Sequence, residues 1–190
     1  MSSDTKRLFL AIKINPESSL LQLISRFRNS LAGDKINWVR PENIHLTLKF
    51  LGETPVYKVP GIEKIITEIT SQNKSFTTGL KGIGAFGSRY QPRVVWAGFS
   101  EPESMLNLGE FCLNTFHKYH FYRDRQNFIP HLTLGRIHEI RNKKRFWDMV
   151  EAEKETTFQQ VEVKKLILFE SILLKTGPVY HELFTVELGS

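Results

Sequence analysis

The sequence predicts a protein of mixed α-helices and β-strands, built from two copies of one supersecondary unit that face each other. Two observations lead to this fold class. The tetrapeptide His-Leu-Thr-Leu occurs at 45–48 and again at 131–134, a separation too long for a solenoid repeat of about 20–50 residues. Each copy lies in a segment with strand periodicity that is followed by a segment with helical periodicity. We therefore expect residues 1–190 to form a single domain of two intertwined lobes related by a pseudo-two-fold axis.

The first half of the chain alternates between strands and helices. Asn15, Pro16 and Glu17 provide an N-cap candidate, a proline at the first helical position and an early acidic residue, so a helix should begin here and end near Gly33. Isoleucines at helical spacing predict a second helix over 62–71. Short apolar or alternating segments predict four strands, at 7–14, 44–51, 76–83 and 93–99, with a loop at 84–92.

The second half follows similar logic. A stripe of apolar residues predicts a helix over 105–119, and a basic loop at 123–125 then leads to the second tetrapeptide. Strand periodicity resumes at 131–137, and a further helix contains Phe146, Met149 and Val150. Two closing strand regions are expected, near 158–169 and at 180–188.

Composition excludes several classes of protein. Hydrophobic residues make up 41% of the 190 residues, which is enough for a real core and argues against disorder. The single cysteine, Cys112, excludes a disulfide-stapled scaffold, and its apolar neighbours predict a buried, inert thiol. The apolar run at 8–12 is too short for a signal peptide or a membrane span, so we expect a cytoplasmic protein with no membrane partner. A net charge of +6 permits an anionic partner such as RNA but does not prove one.

The two tetrapeptides place polar side chains on one face of each strand. Since residues i and i+2 of a strand project from the same face, His45 and Thr47 point together, as do His131 and Thr133. The leucines point to the opposite face, toward a core. If a pseudo-two-fold axis relates the lobes, both polar pairs converge on one cleft.

Two imidazoles and two hydroxyls in a cleft suit phosphodiester chemistry. A neutral imidazole can take a proton from water while a protonated one donates a proton to the leaving oxygen. Threonine hydroxyls can hydrogen-bond the non-bridging phosphate oxygens, whose charge rises in the transition state. A metal site is the rival reading, because His117, His120 and His138 lie near one another in sequence. No cysteine or carboxylate accompanies them at a familiar zinc spacing, so we expect no metal.

At these motifs the sequence resembles the 2H phosphoesterases, and more narrowly the RNA 2',3'-cyclic phosphodiesterases historically called 2'-5' RNA ligases. Blocks along nearly the whole chain carry the resemblance: RLFLAI at 7–12, WVRPENIHLTLKFLG at 38–52, PRVVWAG at 92–98, PHLTLGR at 130–136, and LFES at 168–171 followed by Tyr180.

The resemblance implies a fold, a reaction and a set of roles. The fold is α+β and bilobal, with two antiparallel sheets lining a central cleft and helices on the outside. The reaction is hydrolysis of a ribose 2',3'-cyclic phosphate to a 2'-phosphomonoester without a metal or other cofactor. By motif position, His45 is the proton donor, His131 is the proton acceptor, and Thr47 and Thr133 hold the phosphate. The partners are RNA 2',3'-cyclic phosphate ends or cyclic mononucleotides, and we expect a monomer.

Other residues are weaker candidates for substrate contacts. Arg136 lies five residues after His131, an odd offset that places it on the opposite face unless the strand bulges near Gly135. Lys49 shares the face of His45 by alternation. The remaining candidates are aromatic residues that could stack on a base, namely Phe9, Phe86 and Tyr90, and two basic residues that could attract RNA, Arg123 and Arg125.

Three alternative functions stay open on the sequence. The basic charge and aromatic-rich loops also suit an RNA-binding module without turnover. The same groups could run reversible 2'-5' RNA ligation, or hydrolysis of 2'-5' oligonucleotides.

Overall fold

The structure, a computed structural model, describes residues 4–123 and 127–189. Within these ranges the chain forms nine β-strands in two antiparallel sheets together with four α-helices, so the α+β class is confirmed. None of the helices in these ranges combines the length and apolar character needed to cross a membrane.

Each sheet contains one copy of the tetrapeptide. The four-stranded sheet has the spatial order β3 (His45–Pro55), β1 (Thr5–Lys13), β8 (Lys165–Leu174), β9 (Gly177–Glu187). The five-stranded sheet has the order β2 (Lys35–Trp38), β6 (Leu132–Glu139), β5 (Pro92–Phe99), β4 (Phe76–Gly87), β7 (Thr157–Val163). The second sheet has β2 as an extra edge strand. Its other four strands, β6, β5, β4 and β7, take the positions that β3, β1, β8 and β9 have in the first sheet. This correspondence is the pseudo-two-fold relation that the repeated tetrapeptide predicts.

One hydrophobic core joins both sheets to the helices α1 (Ser18–Ser30), α2 (Val59–Ser71), α3 (Pro102–Lys118) and α4 (Lys143–Ala152). The tetrapeptide leucines Leu46, Leu48, Leu132 and Leu134 are each at most 2% exposed in this core. Burying one such side chain contributes about 1.5–3 kcal/mol, which fixes the outward direction of the residues between them. Cys112 is fully buried in α3, and burial raises the pKa of its thiol, as expected for an inert cysteine.

The first helix begins later than the sequence predicts. It starts at Ser18 rather than after an N-cap at Asn15. The side chain of Gln159 on β7 explains the difference, since it accepts from the Glu17 backbone N–H at 2.8 Å and donates to the Asn15 carbonyl at 3.0 Å. These bonds hold residues 15–17 in an extended path.

Two strand predictions were also wrong in their extent. The loop expected at 84–92 shrinks to 88–91, because β4 continues to Gly87. Its two glycines are strand residues: Gly87 has a φ of +108° at a register shift, and Gly84 lies directly under the Trp96 indole. The region expected near 158–169 is two strands, because the chain leaves the five-stranded sheet at Val163 and enters the other at Lys165.

Candidate active site

Both tetrapeptide histidines are held in the same way. His45 begins β3 and His131 directly precedes β6. The ring Nδ1 of His45 lies 2.6 Å from the carbonyl oxygen of Asn43, and that of His131 lies 2.7 Å from the carbonyl oxygen of Ile129. Because a carbonyl only accepts, each Nδ1 carries the proton and donates it. Nε2 is therefore the atom on each ring that is left to exchange a proton with a ligand.

Aromatic side chains fix the planes of the two rings. The Phe9 ring centroid lies 4.9 Å from that of His45, and Tyr180 meets His45 edge-on at 5.2 Å. Phe86 meets His131 edge-on at 4.8 Å, so the longer β4 strand brings this residue into the site. Each imidazole is thus packed on one side by protein and restricted to one orientation.

Phe9 belongs to a small apolar cluster on the cleft face of the four-stranded sheet. Its members are Phe9, Ala11, Ile167 and Phe169, with Tyr180 packed against them. Phe9 is only 3% exposed, because rings of His45, Phe169 and Tyr180 surround it. It is brought to the site as a support for His45 and not as an open face for a base.

A bulge at the last leucine of each tetrapeptide decides which later residues reach the cleft. Thr47 pairs with Ala11 and Lys49 with Leu10, so Leu48 is the extra residue in β3. In β6, Leu134 is the extra residue, because Thr133 pairs with Trp96 and Gly135 with Val95. Each bulge shifts the side-chain alternation by one residue.

The shift brings Arg136 onto the face of His131 and Thr133, as the sequence analysis required for a phosphate contact. It also reverses the expectation for Lys49, which is 4% exposed and donates from its ammonium to the Tyr122 carbonyl at 2.6 Å, away from the cleft. Phe50 takes the position equivalent to Arg136 and is 57% exposed, with its ring 6.1 Å from that of Phe9. Phe50 was not among the site residues predicted from the sequence, although its offset from His45 equals that of Arg136 from His131.

The electrostatics tie the two motifs to one site. Burial lowers the pKa of His45, the hydrogen bond to Asn43 opposes this, and the positive charges of Arg136 and His131 lower it further. Burial likewise lowers the pKa of His131, against its hydrogen bond to Ile129, and the charge of Arg136 adds to the decrease. Arg136 is therefore close enough to act on both rings, and His131 is close enough to act on His45.

The two threonines are partly exposed beside the histidines. Within the described residues neither the Thr47 nor the Thr133 hydroxyl has a hydrogen-bond partner, so both can donate to a ligand. Together with Arg136 they are donors on the same strand faces as the two histidines, which is an arrangement suited to an anion that exchanges protons.

Other sequence candidates lie outside this group. Tyr90 is 84% exposed in the turn between β4 and β5, and no ring contact joins it to the site among the described residues. Arg123 forms an ion pair with Glu110 at 2.6 Å, and Arg125 lies outside the described residues.

The alternative prediction of a metal site finds no set of ligands among the described residues. His138 Nε2 lies 3.0 Å from the Asn37 side-chain amide, and His117 and His120 are exposed at the end of α3. In the part of the chain that the structure describes, no three His, Cys, Asp or Glu side chains come together as a metal ion requires.

Known proteins are similar to this chain in sequence. Residues 12–96 and 107–180 match the model of the family LigT like Phosphoesterase. The RNA 2',3'-cyclic phosphodiesterase of Archaeoglobus fulgidus is 34% identical over 182 residues, which cover 95% of this chain and 99% of that protein. The protein of the same name from Methanocaldococcus jannaschii is 34% identical over 185 residues, covering 92% and 96%.

Solved structures agree on the fold. TT0787 of Thermus thermophilus superposes with a TM-score of 0.76 at 23% identity, covering 96% of this chain and 97% of that one. LigT of E. coli complexed with 3'-AMP gives 0.74 at 22% identity, covering 98% and 100%. Since the family model spans most of the sequence and the relatives match over nearly their whole length, this chain belongs to the LigT-like phosphoesterase family.

Proposed function

We propose that the protein hydrolyses 2',3'-cyclic phosphates of RNA ends or nucleosides to 2'-phosphomonoesters, with His45 and His131 as the proton-transfer pair. The observation that carries the proposal is the matched anchoring of the two rings, each with Nδ1 bound to a carbonyl and Nε2 left over. The relatives named RNA 2',3'-cyclic phosphodiesterase support the substrate class.

In the proposed reaction, His131 Nε2 takes a proton from water as the water oxygen attacks phosphorus. His45 Nε2 gives its proton to the 3'-oxygen as the bond from phosphorus to that oxygen breaks. The products are a 3'-hydroxyl and a 2'-phosphate, and the two imidazoles end with their proton states exchanged. A proton exchange with solvent restores them, so the cycle needs neither a covalent intermediate nor a metal.

The hydroxyls of Thr47 and Thr133 and the guanidinium of Arg136 bind the phosphate oxygens in this proposal. A cyclic phosphate carries one negative charge, and more charge develops on its free oxygens as water adds. Donors already in place are worth more in a partly buried cleft than in water, because no solvent must reorganise around the new charge.

Binding of the substrate favours the protonated form of the histidine that acts as the general acid. In the free protein, burial and the charge of Arg136 favour neutral rings at both positions. A bound phosphate anion has the opposite sign and raises the pKa of both imidazoles. Binding of the substrate therefore helps to load the proton that His45 must donate.

The deciding experiment is phosphorus NMR of adenosine 2',3'-cyclic phosphate incubated with the protein in excess chelator. We expect adenosine 2'-phosphate as the product, and loss of most turnover in His45→Ala and in His131→Ala. His117→Ala is the matched control, because His117 is exposed on α3 and outside the site. A 3'-phosphate product would reverse the leaving oxygen, and full activity in both single variants would refute the mechanism.

The same NMR assay separates the other functions when a 2'-5' linked dinucleotide is added as a second substrate and binding of the cyclic nucleotide is measured alongside it. Binding of cyclic nucleotides without any turnover would favour an RNA-binding module, and product only from a 2'-5' linked dinucleotide would favour a 2'-5' phosphodiesterase or ligase. We further propose that the protein acts as a cytoplasmic monomer, because one chain supplies both histidines. Sedimentation at the concentration of the assay tests the monomer.

A further inference from the structure

We propose that the cleft contains a second anion subsite, formed by Arg7, Ser171 and Tyr180, for the phosphodiester on the 5' side of the nucleotide that carries the cyclic phosphate. This inference rests on the proposed function and deepens it. It makes the 3' end of an RNA chain, rather than a cyclic mononucleotide, the preferred substrate.

The three residues lie side by side on adjacent strands. Alternation along β1 places Arg7 on the same face as Phe9, which packs on His45. Leu8 pairs with Glu170 in the antiparallel pair of β1 and β8, so the same register places Arg7 opposite Ser171. Ser171 in turn pairs with Tyr180, and the three residues therefore form one row across β1, β8 and β9. Lys6 confirms the alternation, because it forms an ion pair with Glu170 at 2.6 Å on the opposite face.

The polar groups of this row are available to a ligand. In the described part of the chain Arg7 forms no ion pair, and neither the Ser171 nor the Tyr180 hydroxyl has a hydrogen-bond partner. The cross-strand neighbour of Arg7 is Glu53, whose carboxylate accepts a hydrogen bond from the Thr5 hydroxyl at 3.3 Å. One guanidinium and two hydroxyls are the donor types that contact RNA phosphates.

The row adjoins the reaction site at Tyr180, whose ring meets His45 edge-on at 5.2 Å, and extends away from the site through Ser171 to Arg7. Burial raises the pKa of the Tyr180 phenol, and the positive charges of Arg136 and Arg7 oppose that rise. Arg136 also acts on both histidines, whereas Arg7 is not among the charges that act on them. Tyr180 is therefore near enough to both guanidinium groups for their charges to act on its phenol.

The spacing fits the next linkage of an RNA chain. Two residues along a strand span about 6.6 Å, so the backbone of Arg7 lies about that far along β1 from Phe9, whose ring packs on His45. An RNA strand whose terminal cyclic phosphate lies at the histidines continues through the 5'-oxygen of that same nucleoside. The phosphate on that oxygen is the nearest further anion in the substrate.

The experiment compares three substrates: adenosine 2',3'-cyclic phosphate, its 5'-phosphorylated form, and the dinucleotide ApA ending in the same cyclic phosphate. Because a charge-assisted hydrogen bond is among the stronger polar contacts, the 5'-phosphate should raise kcat/KM about tenfold or more. In Arg7→Gln the ratio of kcat/KM with and without the 5'-phosphate should fall close to one. Arg28→Gln, at an exposed arginine in the last turn of α1, should keep the wild-type ratio.

Equal kcat/KM for the two mononucleotides in the wild-type protein, or an unchanged ratio in Arg7→Gln, would overturn the subsite while leaving the proposed function intact. A gain for the dinucleotide alone would also overturn it, because the second base would then be the recognised group. Binding provides the independent readout: adenosine 3',5'-bisphosphate should bind about tenfold more tightly than adenosine 3'-phosphate, and Arg7→Gln should remove that difference. That result without turnover of any substrate would support the subsite and refute the hydrolysis.

Discussion

Gly109 in α3 supports the second histidine from a distance, and Gly109→Ala tests this support. A Cβ at this position would overlap three atoms of the Phe128 ring, of which Cζ is the farthest at 2.7 Å. Phe128 directly precedes Ile129, whose carbonyl holds His131 Nδ1 at 2.7 Å. The helix surface at Gly109 therefore sets the position of the loop that orients the ring.

The magnitude follows from the overlap. Carbon atoms in ordinary contact lie about 3.5–4.0 Å apart, so the ring must retreat by about 1 Å. Overpacking of this kind costs about 1–3 kcal/mol, and the gain from replacing a helical glycine by alanine is about 1 kcal/mol. The net loss in the free energy of unfolding is thus about 0–2 kcal/mol. A misplacement of about 1 Å at a catalytic group lowers the rate by up to about 100-fold.

The assay measures melting temperature and kcat/KM on the same preparations. For a chain of this size 1 kcal/mol corresponds to about 2–4 °C, so Gly109→Ala should melt at most about 8 °C lower while kcat/KM falls at least tenfold. Gly61→Ala is the matched control, because Gly61 is also a helical glycine and a Cβ there meets nothing within 4 Å. It should raise the melting temperature by about 2–4 °C at unchanged kcat/KM.

A rescue variant separates the loop shift from general destabilisation. Phe128→Leu removes ring atoms from the overlap, so the double variant Gly109→Ala/Phe128→Leu should recover activity relative to Gly109→Ala alone. Wild-type kcat/KM in Gly109→Ala would refute the reasoning, since it would show that the position of Phe128 does not govern His131.

Three further predictions concern the site itself. Burial and the charge of Arg136 lower the pKa of both His45 and His131, so the alkaline limb of the pH profile of kcat/KM should lie below about 6.5. The alkaline limb of the pH profile of kcat should lie at higher pH, since the bound anion raises the pKa of both histidines. A kcat/KM limb above 6.5 would contradict this assignment. Arg136→Met should lower kcat/KM about 100-fold and move its alkaline limb to higher pH, and a move to lower pH would exclude Arg136 as the charge acting on the rings. Asn43→Ala removes the hydrogen bond from the Asn43 amide to the Pro178 carbonyl at 3.0 Å, so kcat should fall severalfold at similar KM, and an equal loss in both constants would point to binding instead.

The sequence predicted the core of the site because that part depends on local alternation alone. His45 and Thr47 share a face for the same reason that Leu46 and Leu48 are buried, and the second copy repeats the pattern. Such a pattern is decided within four residues, so it can be read without knowledge of the neighbouring strands.

What lies beyond the tetrapeptide could not be read in the same way. The bulge at Leu48 arises from the pairing of β3 with β1, whose residues are far away in sequence. Without it Lys49 would face the cleft, as the sequence predicted, and with it Lys49 reaches the Tyr122 carbonyl. The glycines of β4 posed the same difficulty, since Gly84 pairs with Trp96 of β5 and a Cβ there would overlap the indole, a contact that the local sequence does not show.

The bulges also explain how a duplicated motif yields a site with a direction. Two identical tetrapeptides supply two equivalent imidazoles and hydroxyls, which by themselves would bind a cyclic phosphate equally well in either orientation. The bulge makes the fifth residue after each histidine a cleft residue, and there the copies differ: Phe50 presents an exposed ring on β3, whereas Arg136 presents a charge on β6 that acts on both histidines. A substrate with an anionic phosphate at one end and an apolar base at the other matches this difference in one orientation only. In the proposed reaction, the distinction between proton donor and proton acceptor therefore depends on the residues that follow the motif, and not on the motif itself.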